Sequence, residues 1–381
     1  MKDSIQIGEL FGIPIRLHFT FLIVIPLFTL IIAYQIEYSV SFLEMVFGLP
    51  GPVDTSLITT GQMPYILGII VTLSLFAGVL IHELAHSVVA ISKGLEVKSI
   101  TLLILGGVSQ INEEKSPEPD VELPMAIAGP LASLVIGIVT GIIALISYYF
   151  ISQPAVAGIL FYVFGYLSVL NILLFLFNLI PAFPMDGGRV LRAFLAKRMP
   201  IHQATSIAAD IGRGFAIVFG FIGLLLFNPI LIIIAVFVYL GAGQEATMIK
   251  YSHLLEGVTV ANAMSSPVTY ISPASSVDAV VQAMYNTKHL GFPVIENGTL
   301  IGVVTLHDIN TISAIDREAM IVRDVMTKDP VTLPPEAPLT DALKLMSTMN
   351  IGRVPVVKDG QVEGIVTRTD ILRFLELKEL K

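Results

Sequence analysis

The sequence predicts a polytopic α-helical membrane protein of about six transmembrane helices with short membrane-edge strands, followed by a tandem pair of small α/β units. Three observations predict it. Residues 1–250 hold several apolar runs long enough to cross about 30 Å of hydrocarbon. They belong to a chain of 381 residues that is 54% hydrophobic and 14% charged, with a mean hydropathy of +0.82. Residues 251–381 have the composition of a soluble segment, and there one pattern recurs at an offset of 62: Met264 and Met326, Pro293 and Pro355, Gly302 and Gly364, Asp308 and Asp370. A fixed offset marks duplicated units that pack on each other. The expected division is 1–250, a linker over 251–257, and repeat units over 258–317 and 318–381.

Composition also excludes. The net charge of −8 and the lack of a basic surface argue against nucleic acid. There is no cysteine, hence no disulfide and no thiol nucleophile.

Residues 5–18 mix β-branched residues with Gly8 and Gly12 and read as a short hairpin at the membrane edge. The first span covers about 18–36. It has no evident cleavage site after it and is read as retained. A polar, Gly- and Pro-containing segment fills 37–62. The second span covers 63–90, with Gly94 as its stop. Residues 99–111, with the pair Gly106-Gly107, are too short to span and fit a strand or re-entrant segment. Residues 112–120 form a charged loop. The remaining spans are 122–150, 157–180, 207–227 and 229–248, with a basic amphipathic stretch at 190–204.

Charge sets the orientation. Arg16, Lys93, Lys98, Lys115, Arg189, Arg192, Lys197, Arg198, Arg213 and Lys250 fall on one side of six alternating spans, while 37–62 and 148–156 hold no Lys or Arg. By the positive-inside rule this is a multi-pass protein of the cell membrane with both termini cytoplasmic.

The chemistry gathers at Ile81-His82-Glu83-Leu84-Ala85-His86. Residues i and i+4 share a helix face, so both imidazoles reach one metal ion and Glu83 lies beside it. A catalytic zinc needs a third protein ligand. His18 and His202 are alternatives, but Asp186 stands out: it follows a span and precedes Gly187-Gly188, where the chain can turn tightly. An ionisable group near the hydrocarbon is a functional-site hypothesis by default. Asn178, eight residues earlier, is placed to donate a hydrogen bond to a substrate carbonyl or oxyanion.

His82-Glu-Leu-Ala-His86 inside an apolar span, with Asn178…Pro181…Pro184-Met-Asp-Gly-Gly188 on another, resembles the site-2 protease family of intramembrane zinc metalloproteases. The likeness covers about residues 5–248. It implies one Zn2+ per chain on His82, His86 and Asp186, Glu83 as catalytic base, and Asn178 in substrate positioning. It also implies a transmembrane protein as substrate, met within the lipid bilayer. Gly106-Gly107-Val108 resembles the family's strand beside the active site, which binds unwound substrate. Met185 stands where the family often has Leu. No PDZ-like insertion separates the spans.

Each repeat reads as turn, helix, strand, Gly turn, strand, helix. The pattern resembles a pair of CBS (cystathionine-β-synthase) domains. That likeness implies an adenine nucleotide (ATP, ADP or AMP) in the inter-repeat cleft. Its contacts would be Thr305 and Asp308 in one repeat and Thr367 and Asp370 in the other, and a homodimer through the CBS domains is a further expectation. The same Asp positions also suit helix N-caps. A CBS-gated transporter or channel is the alternative class. Glu83 discriminates, because a transporter has little use for a carboxylate inside a zinc-binding helical turn.

Overall fold

The computed structural model describes residues 4–103, 106–112, 118–313 and 315–380. The chain divides into two compact units, Met1–Ile249 and Lys250–Lys381.

The first unit begins with the expected hairpin, β1 (Ser4–Leu10) and β2 (Ile13–His18), paired antiparallel. Two helices follow, α1 (Phe21–Tyr34) and α2 (Ile36–Phe47), bent by 72° at Gln35. The polar segment expected from residue 37 is therefore helical as far as Phe47. Ile36, Val40 and Leu43 recur at helical spacing and are buried, while Glu37 and Ser41 face outward; the periodicity outweighs the average polarity. Next come α3 (Met63–Ser92), β3 (Glu96–Leu103) and β4 (Gly106–Asn112). The strands form one four-stranded sheet in the order β1-β2-β3-β4, with β2 parallel to β3 and the other pairs antiparallel. Part of the expected charged loop, 113–117, lies outside the described residues. It gives way to α4 (Pro119–Phe150) and α5 (Pro154–Asn178). A short helix α6 (Asp186–Ala196), then α7 (Ile201–Leu225) and α8 (Pro229–Leu255), complete the set.

Among the described residues, α3, α4, α5, α7 and α8 are long and apolar enough to cross a bilayer, and the α1–α2 pair makes a sixth if it is one bent span. Their outward faces expose Ile, Leu and Phe, as lipid requires, while the interior core joins α2, α3, α4 and α5 through Val40, Leu43, Val71, Ala144 and Phe161. The protein is a multi-pass membrane protein.

In the second unit, residues 251–255 of the expected linker are the last turns of α8, and Leu255 is buried in a core there. The first repeat supplies α9 (Val277–Thr287), β5 (Gly291–Glu296), β6 (Thr299–Thr305) and α10 (Leu306–Asn310). The second supplies α11 (Val322–Val325), β7 (Thr327–Lys328), α12 (Leu339–Thr348), β8 (Arg353–Lys358), β9 (Gln361–Thr367) and α13 (Arg368–Glu379). Both hairpins turn through a left-handed pair, Asn297-Gly298 and Asp359-Gly360, the chemistry a tight hairpin turn demands.

The leading segments of the two repeats are exchanged. β7 pairs with β6 of the first repeat, and Val322 and Met326 are buried with Val280, Phe292 and Val304. Reciprocally, Ser265 bridges Ile365, and Val258 and Val260 are buried with Leu339, Val354 and Val366. Each fully buried aliphatic side chain is worth about 1.5–3 kcal/mol, so neither repeat closes its core without the other.

Candidate active site

Helix α3 carries His82 and His86 one turn apart on a buried face. The loop after α5 delivers Asp186 at the first residue of α6. Three ligand atoms converge: His82 Nε2 and His86 Nε2 lie 3.2 Å apart, and Asp186 Oδ2 is 3.2 Å from each. His82, His86 and Asp186 are the one cluster of three such groups among the described residues that can hold a metal ion. Ligand atoms about 2.0–2.1 Å from a tetrahedral zinc stand about 3.3–3.4 Å apart, so the spacing fits that ion.

The partners of the rings point the same way. His86 Nδ1 lies 2.7 Å from Met125 O, a carbonyl that can only accept, so Nδ1 carries a proton and Nε2 is the ring nitrogen turned to the cluster. His82 Nδ1 lies 2.9 Å from Ser133 Oγ. With their Nδ1 atoms so occupied, both rings turn Nε2 toward Asp186 Oδ2, the atoms through which they would ligate one cation. Hydrogen bonding of the remote ring nitrogen is the usual way a protein orients a ligating imidazole. Gly129 lies against both rings: a Cβ there would stand 2.7 Å from His82 Nε2 and 2.6 Å from His86 Cε1, and closer still to His86 Nε2. Met125, Gly129 and Ser133 recur at i, i+4 and i+8, one face of α4.

Glu83 is half-buried. Ser109 Oγ donates to its Oε2 at 2.7 Å, and Ser87 Oγ donates to Ser109 Oγ at 3.2 Å. Gly107 and Ser109 sit on one face of β4, two residues or about 7 Å apart. Glu83 and Ser87 sit on one face of α3, one turn or about 6 Å apart. The two repeats match, and a side chain at Gly107 would overlap Glu83. β4 pairs with β3 along one edge only, among the described residues, and Val108 is 41% exposed.

Asn178 is the last residue of α5, and its Nδ2 donates to Leu174 O at 3.1 Å, a bond within its own helix. Among the described residues, no hydrogen bond joins it to His82, His86 or Asp186. Sequence reasoning did not single out Ser109, Ser133, Gly129 or the Met125 carbonyl as partners of the site. Ser109 was within reach, two residues from the glycine pair in a strand. The α4 stripe was not, because nothing in the sequence says which face of one apolar span meets another.

In the second unit, Asp308 Oδ2 accepts from Thr305 N at 2.8 Å and Thr305 Oγ1 at 2.7 Å. Asp370 Oδ2 accepts from Thr367 N at 2.9 Å and Thr367 Oγ1 at 2.6 Å. Both pairs form capping boxes. Asp370 Oδ1 also accepts from Ser265 Oγ at 3.2 Å. Arg353, opposite Thr367 in the sheet, donates through Nη1 to Gly291 O at 2.6 Å; Gly291 lies opposite Thr305. The two motifs thus meet through one guanidinium. Burial pushes Arg353 below the usual guanidinium range, and the charges of Asp308 and Asp370 pull it back.

Comparison with known proteins decides the family. The model of peptidase family M50 matches residues 70–155 and 139–219, and the CBS domain model matches 260–314 and 322–377. The zinc metalloprotease MJ0392 of Methanocaldococcus jannaschii is 36% identical over 381 residues, covering 100% of this chain and 98% of that protein. The chain belongs to peptidase family M50. It is a site-2 protease-type zinc metalloendopeptidase fused to a CBS pair. Among solved structures, a site-2 protease from Methanocaldococcus jannaschii is 37% identical with a TM-score of 0.43, covering 64% of this chain and 95% of that one. CBSX2 in complex with AMP is 30% identical with a TM-score of 0.29, covering 33% of this chain and 100% of that one.

Proposed function

We propose that this M50 peptidase hydrolyses peptide bonds in transmembrane segments of other membrane proteins. One Zn2+ per chain is held by His82, His86 and Asp186, and Glu83 is the general base. The observation that carries the reading is the convergence of two imidazoles and a carboxylate at 3.2 Å, with Glu83 on the intervening turn. A bound zinc would supply Lewis acidity at the scissile carbonyl and lower the pKa of water to about 7. Glu83 takes the proton of the attacking water and returns it to the leaving amine. Ser109, donating to Oε2, holds the carboxylate and leaves Oε1 for the transfer.

A helical substrate must unwind, since its carbonyls are committed to the i+4 amides. The edge of β4 that has no partner strand among the described residues, beside Glu83, suits an added strand that satisfies the freed backbone groups. Asn178 is assigned to substrate positioning: at the C-terminal end of α5 its amide can exchange Leu174 O for a substrate carbonyl. The excess of Lys and Arg on one side supports cytoplasmic termini, which puts the C-terminal ends of α3 and α5 on the cytoplasmic side. The CBS pair binds an adenine nucleotide between its repeats at Thr305, Asp308, Thr367 and Asp370, and binding adjusts proteolysis. The meeting of both motifs at Arg353 supports one shared cleft. A homodimer through the CBS pair belongs to the same reading.

The test is zinc content together with cleavage of a model transmembrane substrate in detergent, for wild type and Glu83→Gln. One zinc per chain in both, with cleavage in wild type alone, is expected. Absence of zinc from both sinks the reading. For the CBS pair, activity that is identical with and without each of ATP, ADP and AMP removes the regulatory part.

A further inference from the structure

A second charged cluster lies beside the metal site and takes no part in the chemistry above. Arg192 of α6 is 5% exposed and Glu122 of α4 is 0% exposed. Arg192 Nε donates to Glu122 Oε1 at 2.8 Å, and its Nη2 donates to the same oxygen. Its Nη1 donates to Glu245 Oε1 of α8 at 2.8 Å. The guanidinium also lies over the Phe183 ring, 5.0 Å from its centre.

Each partner leads to the metal site. Arg192 is on the same short helix as Asp186. Phe183 is in the loop that delivers Asp186. Glu122 continues the α4 stripe: 122, 125, 129 and 133 follow i, i+3, i+7 and i+11, so the face that holds the two imidazoles ends in the carboxylate that holds Arg192. The loop is confined from behind as well. A Cβ at Gly212 of α7 would stand 2.6 Å from Phe183 O, and one at Gly241 of α8 would stand 2.8 Å from Pro184 Cγ.

The cluster is a poor device for stability. Glu122 Oε2 is buried without a hydrogen-bond partner among the described residues. Buried ions lose much of what they gain to desolvation, and apolar residues of similar volume often do as well or better. The guanidinium offers something an apolar contact lacks, donors in a rigid fork that fix direction and distance.

We propose that Arg192 is a positioning residue: with Glu122 and Glu245 it sets the Asp186 helix against the α4 face that orients His82 and His86, and so holds the three ligand atoms at metal-binding separation. The proposal rests on the metal-site reading above. The test uses full-length protein in detergent. It measures zinc affinity by chelator competition and, separately, thermal unfolding of the metal-stripped protein. The double variant Glu122→Gln/Arg192→Met removes the charges together; Arg192→Lys keeps the charge and loses the fork.

Supporting orientation of ligands typically contributes 10–100-fold in metal affinity. The double variant is expected to unfold like the metal-stripped wild type yet bind zinc about 10–100-fold more weakly, with Arg192→Lys weakened about tenfold. Wild-type affinity in both variants overturns the proposal, as does lowered unfolding temperature with unchanged affinity, the mark of a merely structural ion cluster. If the double variant does not fold, Arg192→Lys decides on the same criterion. A wild type that binds no zinc fails at the earlier step and overturns the site reading itself.

Discussion

Replacing Gly129 with alanine separates the metal site from the packing around it. The added Cβ would stand 2.6 Å from His86 Cε1 and 2.7 Å from His82 Nε2. Ordinary contact begins near 3.4 Å, so α4 must back away from the rings by about 0.8 Å or more, or the rings must turn. Either movement breaks the 3.2 Å convergence of the ligand atoms and strains the 2.7 Å contact of His86 with Met125 O. Overpacking of this kind costs about 1–3 kcal/mol, partly offset by the roughly 1 kcal/mol that alanine gains over glycine in a helix. Net stability should therefore fall little, whereas zinc affinity should fall about 100-fold or more and proteolysis with it. Gly137→Ala is the control. It lies two turns along the same helix, and its Cβ would crowd α5 instead of the rings, 2.8 Å from Ile172 Cδ1 and 3.2 Å from Ile172 N. The assay is zinc retained per chain across a chelator series, read beside thermal unfolding. A Gly129→Ala protein that retains zinc as wild type does would refute the steric account of the site.

Three further outcomes are expected. Glu83→Gln should keep its zinc and lose about 10²–10⁴-fold in kcat, the usual contribution of a general base, and chelation of the wild type should abolish cleavage until zinc is restored. Ser109→Ala removes a hydrogen bond to a carboxylate, worth about 1.5–3 kcal/mol, so kcat should fall about 10–100-fold with zinc content unchanged. Arg353→Met leaves Gly291 O without its donor, so hydrogen exchange at Gly291–Glu296 and Arg353–Lys358 in the full-length protein should quicken. Adenine-nucleotide binding, measured in the same preparation, should weaken.

Much of the chain was legible because its signals are local. A span announces itself by about 20 apolar residues, whatever lies beside it. His82, Glu83 and His86 are fixed relative to one another by the helical repeat alone, and the 62-residue offset needs no coordinates. The helix α2 is hidden within 37–62 because the Gly, Pro and polar residues after Phe47 dominate that segment, while the helix shows only in the spacing of Ile36, Val40 and Leu43. The bond between Asn178 and Leu174 O was equally invisible: a terminal Asn can serve its own helix or a ligand, and sequence does not choose.

Local sequence determined the long apolar helices, the placing of His82, Glu83 and His86 on one helical turn, and the duplicated domain, since each depends on residues near one another along the chain. Tertiary structure alone decided what surrounds them: that Gly129, Met125 and Ser133 of α4 hold the imidazoles, that β4 sets Ser109 on Glu83, and that the leading segments of the two repeats change places. The physical reason is the same in each case. Apolar spans offer many faces of nearly equal character, and which one packs inward is settled by small residues and single hydrogen bonds between segments remote in sequence.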